Sequence, residues 1–146
     1  MQRRAHPSPV PGWPPGVPPP GADDWQLAAV AWLLDQAPPE YRGYPAVRHH
    51  PLLLAWLVGH HVAAQREAVR RASASARHDL SEHLPPETGA QVFDVLEREE
   101  LRLRRLTRSV AALQHALLAP PPDGRGGAGG PDPGWGPVRA PGWGPG

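Results

Sequence analysis

The part of the chain that decides the fold is residues 52–118, which read LLLAWLVGHHVAAQREAVRRASASARHDLSEHLPPETGAQVFDVLEREELRLRRLTRSVAALQHALL. Only two of the chain's 22 prolines fall in this stretch, and they stand together at Pro85 and Pro86. A proline inside a helix removes a backbone hydrogen bond and clashes with the preceding turn, at a cost of about 3 kcal/mol. Two proline-free runs of matched length around one Pro-Pro pair therefore predict two long helices that fold back on each other.

Both runs carry apolar side chains at alternating steps of three and four residues, which is typical of helices that share a coiled-coil-like seam. We predict one long helix with Pro51 in its first turn, and another from Pro86 to about Leu118. The predicted seam consists of Val58, Val62, Val69, Leu80, Val92, Leu96, Leu103, Leu106, Val110 and Leu113. Because a short loop makes neighbouring helices antiparallel, the expected fold class is an all-α antiparallel hairpin.

A third, shorter helix is predicted before the hairpin, from Asp24 to Gln36, with Asp23 as its N-cap and Gln26 as the capping-box partner. Its apolar residues surround most of the helix, which implies burial against another element. We expect it to pack at the open end of the hairpin and to complete a three-helix domain over residues 23–118. The expected docking stripe on the next helix consists of Leu53, Trp56, Leu57 and Ala64.

Both ends of the chain are rich in proline and glycine. Residues 1–22 hold eight prolines and three glycines, and residues 119–146 hold eight prolines and ten glycines. Such segments offer too little apolar surface to offset the entropy that is lost when a chain becomes ordered. We therefore predict disordered tails over both ranges.

One short motif recurs in these tails, because Pro-Gly-Trp occurs at residues 11–13, 133–135 and 141–143. An exposed indole can bind a partner's groove, another copy of the chain or a membrane interface. The candidate protein-interaction residues are therefore Trp13, Trp135 and Trp143. The competing interpretation is compositional drift in a GC-rich gene, which the joint absence of Lys, Ile and Asn also indicates.

The charge balance argues against a nucleic-acid partner. The chain has 15 basic residues, all arginine, and 14 acidic ones, for a net charge of +1. Residues 23–118 hold eleven arginines and twelve acids, which is not the basic footprint of a nucleic-acid binder. The charged run at residues 97–105, together with Arg66, Arg70 and Arg71, still allows an alternative function as a nucleic-acid-associated accessory protein. The simpler interpretation is that Arg70 and Arg71 pair across the hairpin with acids of this run.

A metal site and a catalytic site are both weakly indicated. Residues 78–83, HDLSEH, place His78 with Glu82 and Asp79 with His83 on one helix face. Di-iron bundles need Glu-x-x-His on two helices, and the sequence contains no such motif. The chain also has no cysteine, Gly-rich phosphate loop or Gly-x-Ser-x-Gly motif. We therefore expect no metal, no cofactor and no enzymatic activity.

No apolar run approaches the 20 or so residues that a membrane-spanning helix requires. Arg3 and Arg4 are not followed by an apolar stretch, so no Sec-type signal peptide is expected and a cytoplasmic location is predicted.

These observations favour a non-enzymatic helical protein-interaction module, either an adaptor or an assembly module, whose partner is another protein or a second copy. The homodimer alternative arises because residues 72–76 are all small and bury little area, at about 25 cal/mol per Å². A second copy could add buried apolar area to the half of the hairpin next to the Pro-Pro turn.

Overall fold

The computed structural model describes residues 10–120. This part of the chain contains the helices α1 (Trp25–Gln36), α2 (Pro45–His49), α3 (Pro51–Leu80) and α4 (Pro86–Leu118), with a 3₁₀ turn at Pro39–Gly43. The two long helices pack along each other, and α1 packs mainly against α3. The prediction of an all-α hairpin with a shorter N-terminal helix at its open end is confirmed.

Cross-hairpin contacts establish the antiparallel direction of α3 and α4. Gln114 bonds to Ala55, whereas Glu100 pairs with Arg66, so later residues of α4 lie beside earlier residues of α3. Both helices begin with proline in the first turn, where a missing backbone N–H costs no helical hydrogen bond. At about 1.5 Å per residue, each long helix extends for about 45–50 Å.

The core lies at the open end of the hairpin, and burial decreases towards the Pro-Pro turn. Six of the predicted seam residues are buried: Val58, Val62, Leu103, Leu106, Val110 and Leu113. The other four, Val69, Leu80, Val92 and Leu96, are only half-buried. The reason is that α1 covers only the open end, and residues 72–75 are small and exposed.

The start of α1 differs from the prediction. The helix begins at Trp25, after Asp24 in a left-handed conformation with φ of 58°, and no side chain caps it. A capping side chain normally belongs to a residue in extended conformation. The predicted capping box of Asp23 and Gln26 is therefore wrong, because the chain enters the helix through a tight turn instead.

Residues 10–22 pack on the helices, although the sequence predicts disorder for residues 1–22. Pro14 and Val17 are buried, and Trp13 is half-buried against the core. Proline-rich chain has fewer unfolded conformations to lose, so a few apolar contacts suffice to order it. The remainder of the predicted tails, residues 1–9 and 121–146, lies outside the described residues.

Candidate interaction surface

The α3–α4 hairpin has two sides, and α1 covers only one of them. Ala29 and Leu33 of α1 are fully buried, as is Leu54 of α3. A groove lies between α3 and α4 on the other side. We call it the open groove, and its principal lining residues are Leu52, Trp56, Gly59, Ala111, Gln114 and Leu118. Trp56 and Gln114 line both of its parts, one beside Leu52 and Leu118 and the other beside Gly59 and Ala111.

Large apolar side chains are exposed at the outer end of the open groove. Trp56 is 54% exposed, Leu118 is 67% exposed and Leu52 is 40% exposed. The ring of His60 packs against the Trp56 indole, with 4.5 Å between the ring centroids. Contiguous exposed apolar surface is a common property of interaction sites. This cluster is therefore the strongest candidate surface in residues 10–120.

Trp56 and Leu53 do not form the predicted dock for α1. Leu54 and Trp56 are two residues apart, which places them about 200° apart around the helix axis. Leu54 is fully buried, whereas Leu53 and Trp56 are exposed and line the open groove. Leu57 is half-buried and Ala64 is exposed, so the predicted stripe is wrong in most of its members.

The floor of the open groove depends on a glycine. Gln114 Nε2 donates a hydrogen bond of 3.0 Å to the carbonyl oxygen of Ala55, across the hairpin. A Cβ atom at Gly59 would lie 3.0 Å from that Nε2 atom. Gly59 thus allows the amide of Gln114 to reach α3. No donor within residues 10–120 is bonded to the amide oxygen of Gln114.

We expect Gly59→Ala to change stability differently in two backgrounds. In the natural chain the helix gains about 1 kcal/mol from alanine, but the displaced Gln114 loses a hydrogen bond of about 1 kcal/mol. The net change in the free energy of unfolding is therefore close to zero. In a Gln114→Ala background the same substitution should stabilise the protein by about 1 kcal/mol. Urea unfolding of the four proteins measures this coupling, and equal effects in both backgrounds would contradict it.

The N-terminal Pro-Gly-Trp unit binds the helices in a defined way. Gly12 has φ of 79°, and a Cβ atom there would lie 3.2 Å from the Cβ atom of Arg108. The Trp13 indole packs against Trp25 with 5.8 Å between the ring centroids. Its Nε1–H donates a hydrogen bond of 2.9 Å to the carbonyl oxygen of Val17. The predicted interaction residue Trp13 therefore makes its contacts within the chain, whereas Trp135 and Trp143 lie outside the described residues.

Five of the seven arginines in the middle of the hairpin pair with glutamates. Among residues 10–120, Arg66 and Glu100 form the one ion pair between α3 and α4, at 3.3 Å. Glu67 instead binds Arg70 at 2.6 Å and Arg71 at 2.8 Å, one turn along the same helix. The predicted cross-hairpin partners of Arg70 and Arg71 are therefore wrong. Partners three and four residues away on one helix are already adjacent, so these arginines need not reach across.

Further pairs on α4 complete this charged region. Arg102 binds Glu99 at 2.7 Å, and Arg104 binds Glu100 at 2.9 Å. Hydrogen bonds from Arg102 to Glu99, and from Arg104 to Glu100, lower the pKa of each carboxyl group. Hydrogen bonds from Arg70 and Arg71 lower the pKa of Glu67 in the same way. These carboxylates remain ionised and paired near neutral pH.

We expect acid to remove this contribution to stability. A carboxyl group whose pKa is lower in the folded state stabilises the fold above its unfolded pKa, here about 4.5. The contribution is lost as the pH falls below that value and through the folded pKa. The melting temperature should therefore decrease between pH 5 and pH 3. The triple variant E67Q, E99Q and E100Q should show a flatter profile by circular dichroism, and a profile equal to that of the natural chain would contradict the assignment.

Other candidate sites from the sequence have less structural support. His78, Asp79, Glu82 and His83 are exposed near the Pro-Pro turn. Within residues 10–120, no three histidine or acidic side chains lie close enough together to hold a metal ion. In the same part of the chain, no helix combines the length and apolar character needed to cross a bilayer.

A second apolar recess lies at the tip of the hairpin. Its lining includes Ala76, Leu80, Leu84, Gly89, Val92 and Phe93. The guanidinium group of Arg77 lies over the Phe93 ring, 5.5 Å from its centroid. The recess reflects the small side chains at this end of the seam, where few residues are large enough to fill the space between the helices.

No protein-family model, curated protein or solved structure matches the chain.

Proposed function

We propose that this protein is a non-enzymatic helical interaction module for assembly, and that its open groove binds the same groove of a second copy. The observation that carries the proposal is the uncovered apolar groove between α3 and α4, with Trp56 and Leu118 at its outer end. On the other side of the hairpin, α1 packs on α3 and makes a smaller contact with α4. A helical partner could cover the open groove in a comparable way.

The shape of the open groove favours a second copy as the partner. Trp56 and Leu118 are large and exposed, whereas the neighbouring part is lined by Gly59, Ala63 and Ala111. A twofold axis would allow the large side chains of each copy to enter the recess of the other. Two hairpins would then place four long helices together, an arrangement in which helices commonly bury their apolar faces.

Sedimentation velocity of the full chain between 1 and 500 µM tests this proposal. We expect the mean mass to increase with concentration from that of a monomer towards that of a dimer. A monomer across the whole range would overturn the assembly function. Assembly that is unaffected by substitutions in the open groove would place the interface elsewhere.

The proposal includes a cytoplasmic location. The alternative function, a nucleic-acid-associated accessory protein, has less support. Five of its seven arginines, Arg66, Arg70, Arg71, Arg102 and Arg104, are paired with glutamates, whereas Arg98 and Arg105 form no ion pair within residues 10–120. Retention of the full chain on heparin that disappears between 50 and 300 mM salt would favour the alternative, because phosphate binding is strongly salt-dependent.

A further inference from the structure

The packing of residues 11–17 shows what a Pro-Gly-Trp unit needs in order to bind these helices. Gly12 allows the backbone to approach α4 closely at Arg108. Another indole, Trp25, provides a surface for the Trp13 ring, and the carbonyl oxygen of Val17, in the same segment, accepts its N–H hydrogen bond. The packing therefore combines a glycine at the point of approach, an aromatic partner on the helices and an acceptor that satisfies the indole N–H.

The open groove offers an aromatic surface and a hydrogen-bond acceptor, and no part of residues 10–120 occupies it. Trp56 presents a half-exposed indole, and Leu52 and Leu118 present aliphatic surface beside it. Gln114 lies in the same part of the groove. Its Nε2 is bonded to Ala55, so its amide oxygen can accept a hydrogen bond from an indole N–H.

The C-terminal tail leaves the helices at this groove. Leu118 is the last residue of α4 and also part of the groove wall. The sequence PGWGP then occurs at residues 133–137 and again at residues 141–145. Fourteen residues, 119–132, separate Leu118 from the first unit, and random-coil statistics give a 14-residue chain an average span of about 20 Å. A tether of that length would give its segment an effective concentration of the order of millimolar at the groove of its own chain.

We propose that the segment 133–145 docks one of its two PGWGP units in the open groove of its own chain. The indole of Trp135 or Trp143 packs on Trp56 and donates its N–H to the Gln114 amide oxygen. Glycine before the tryptophan allows close approach, as Gly12 does in the N-terminal unit. This inference rests on the groove identified above, and it adds regulation: the docked tail competes with the second copy.

Nuclear magnetic resonance of the full chain tests the docking step. We expect one tail indole N–H to shift from its free-peptide position and to show nuclear Overhauser effects to the Leu118 methyl groups. Trp56→Ala should return that signal to the free-peptide position. Leu27→Ala is the matched control, because Leu27 is 71% exposed on α1 and lies outside the groove. The docking proposal is overturned if both tail indoles have free-peptide shifts in the natural chain, or if Leu27→Ala releases them as Trp56→Ala does.

Sedimentation of the double variant W135A and W143A tests the competition and separates it from the assembly function. We expect its dimer dissociation constant to be about tenfold lower than that of the natural chain. An unchanged constant in a chain that dimerises would overturn the competition. A third outcome is that the natural chain and the double variant both stay monomeric while the tail indoles of the natural chain keep their contacts with Leu118. In that case the assembly function fails and the docked tail stands.

Discussion

Leu103→Ala is expected to lower the free energy of unfolding by about 3 kcal/mol, within the 2–5 kcal/mol that such substitutions cost in protein cores. Leu103 is fully buried in the seam between the two long helices. Alanine removes apolar area and leaves a cavity that the rigid helices can only partly close. Urea unfolding followed by circular dichroism measures the change.

Leu101→Ala is the matched control for this prediction. Leu101 lies on the same helix, two residues earlier, and is 45% exposed. Its loss should cost less than about 1 kcal/mol, as is usual for exposed positions. If the two substitutions are equally destabilising, α4 does not bury the seam as described.

Trp56→Asp is expected to weaken self-association at least 30-fold, which corresponds to about 2 kcal/mol. Tryptophan is frequent among the residues that dominate binding energy, and a carboxylate in an apolar interface loses hydration without gaining a partner. Because Trp56 is 54% exposed within one chain, the melting temperature should change by only a few degrees. Sedimentation velocity and thermal unfolding of the same sample separate the two effects.

Leu27→Asp is the control for the charge itself. It places a carboxylate on a leucine of α1 that is 71% exposed, away from the open groove. The dimer dissociation constant should then remain within about twofold of the natural value. A comparable loss from both substitutions would show that added charge, and not the groove, controls association.

The hairpin could be predicted from the sequence because proline position and apolar spacing act locally. Within a helix, proline is tolerated in the first turn and disfavoured in the interior. The two long helices begin at Pro51 and Pro86. The steps of three and four residues identify the seam edge of each helix, and Leu103 and Val110 on the α4 edge are buried. Burial is weaker in the half of the seam next to the Pro-Pro turn, since the small residues there bury less area.

The side of the hairpin that α1 covers could not be predicted in the same way. Apolar spacing identifies the edge along which the two long helices contact each other. Both sides of the hairpin lie next to that edge, so the spacing does not indicate which side α1 covers. Residues 52–58 are all apolar, so the sequence does not distinguish Trp56 from the residues that contact α1. In the structure it lies in the open groove instead, where Gln114 and Leu118 of α4 also contribute. That Gln114 and Leu118 line the same groove as Trp56 could not be predicted without knowing how the two helices pair.

The packing of residues 10–22 was also beyond a prediction from composition. A prediction from average composition assigns one state to a whole proline-rich and glycine-rich segment. The packing of such a segment, however, depends on a few of its side chains. Trp13, Pro14 and Val17 contact a surface that exists only after the helices have assembled. The same limitation applies to the arginines, because a choice between helix neighbours and cross-hairpin partners depends on the register of the two helices.

The most direct test of the open groove as the interface is an isotope-filtered nuclear Overhauser experiment on a mixture of labelled and unlabelled full-length chains at 1 mM. The account predicts contacts between copies at the methyl groups of Leu52 and Leu118, and none at Leu27 of α1. Contacts between copies at Leu27 or at the hairpin tip, with none at Leu52 and Leu118, would contradict it.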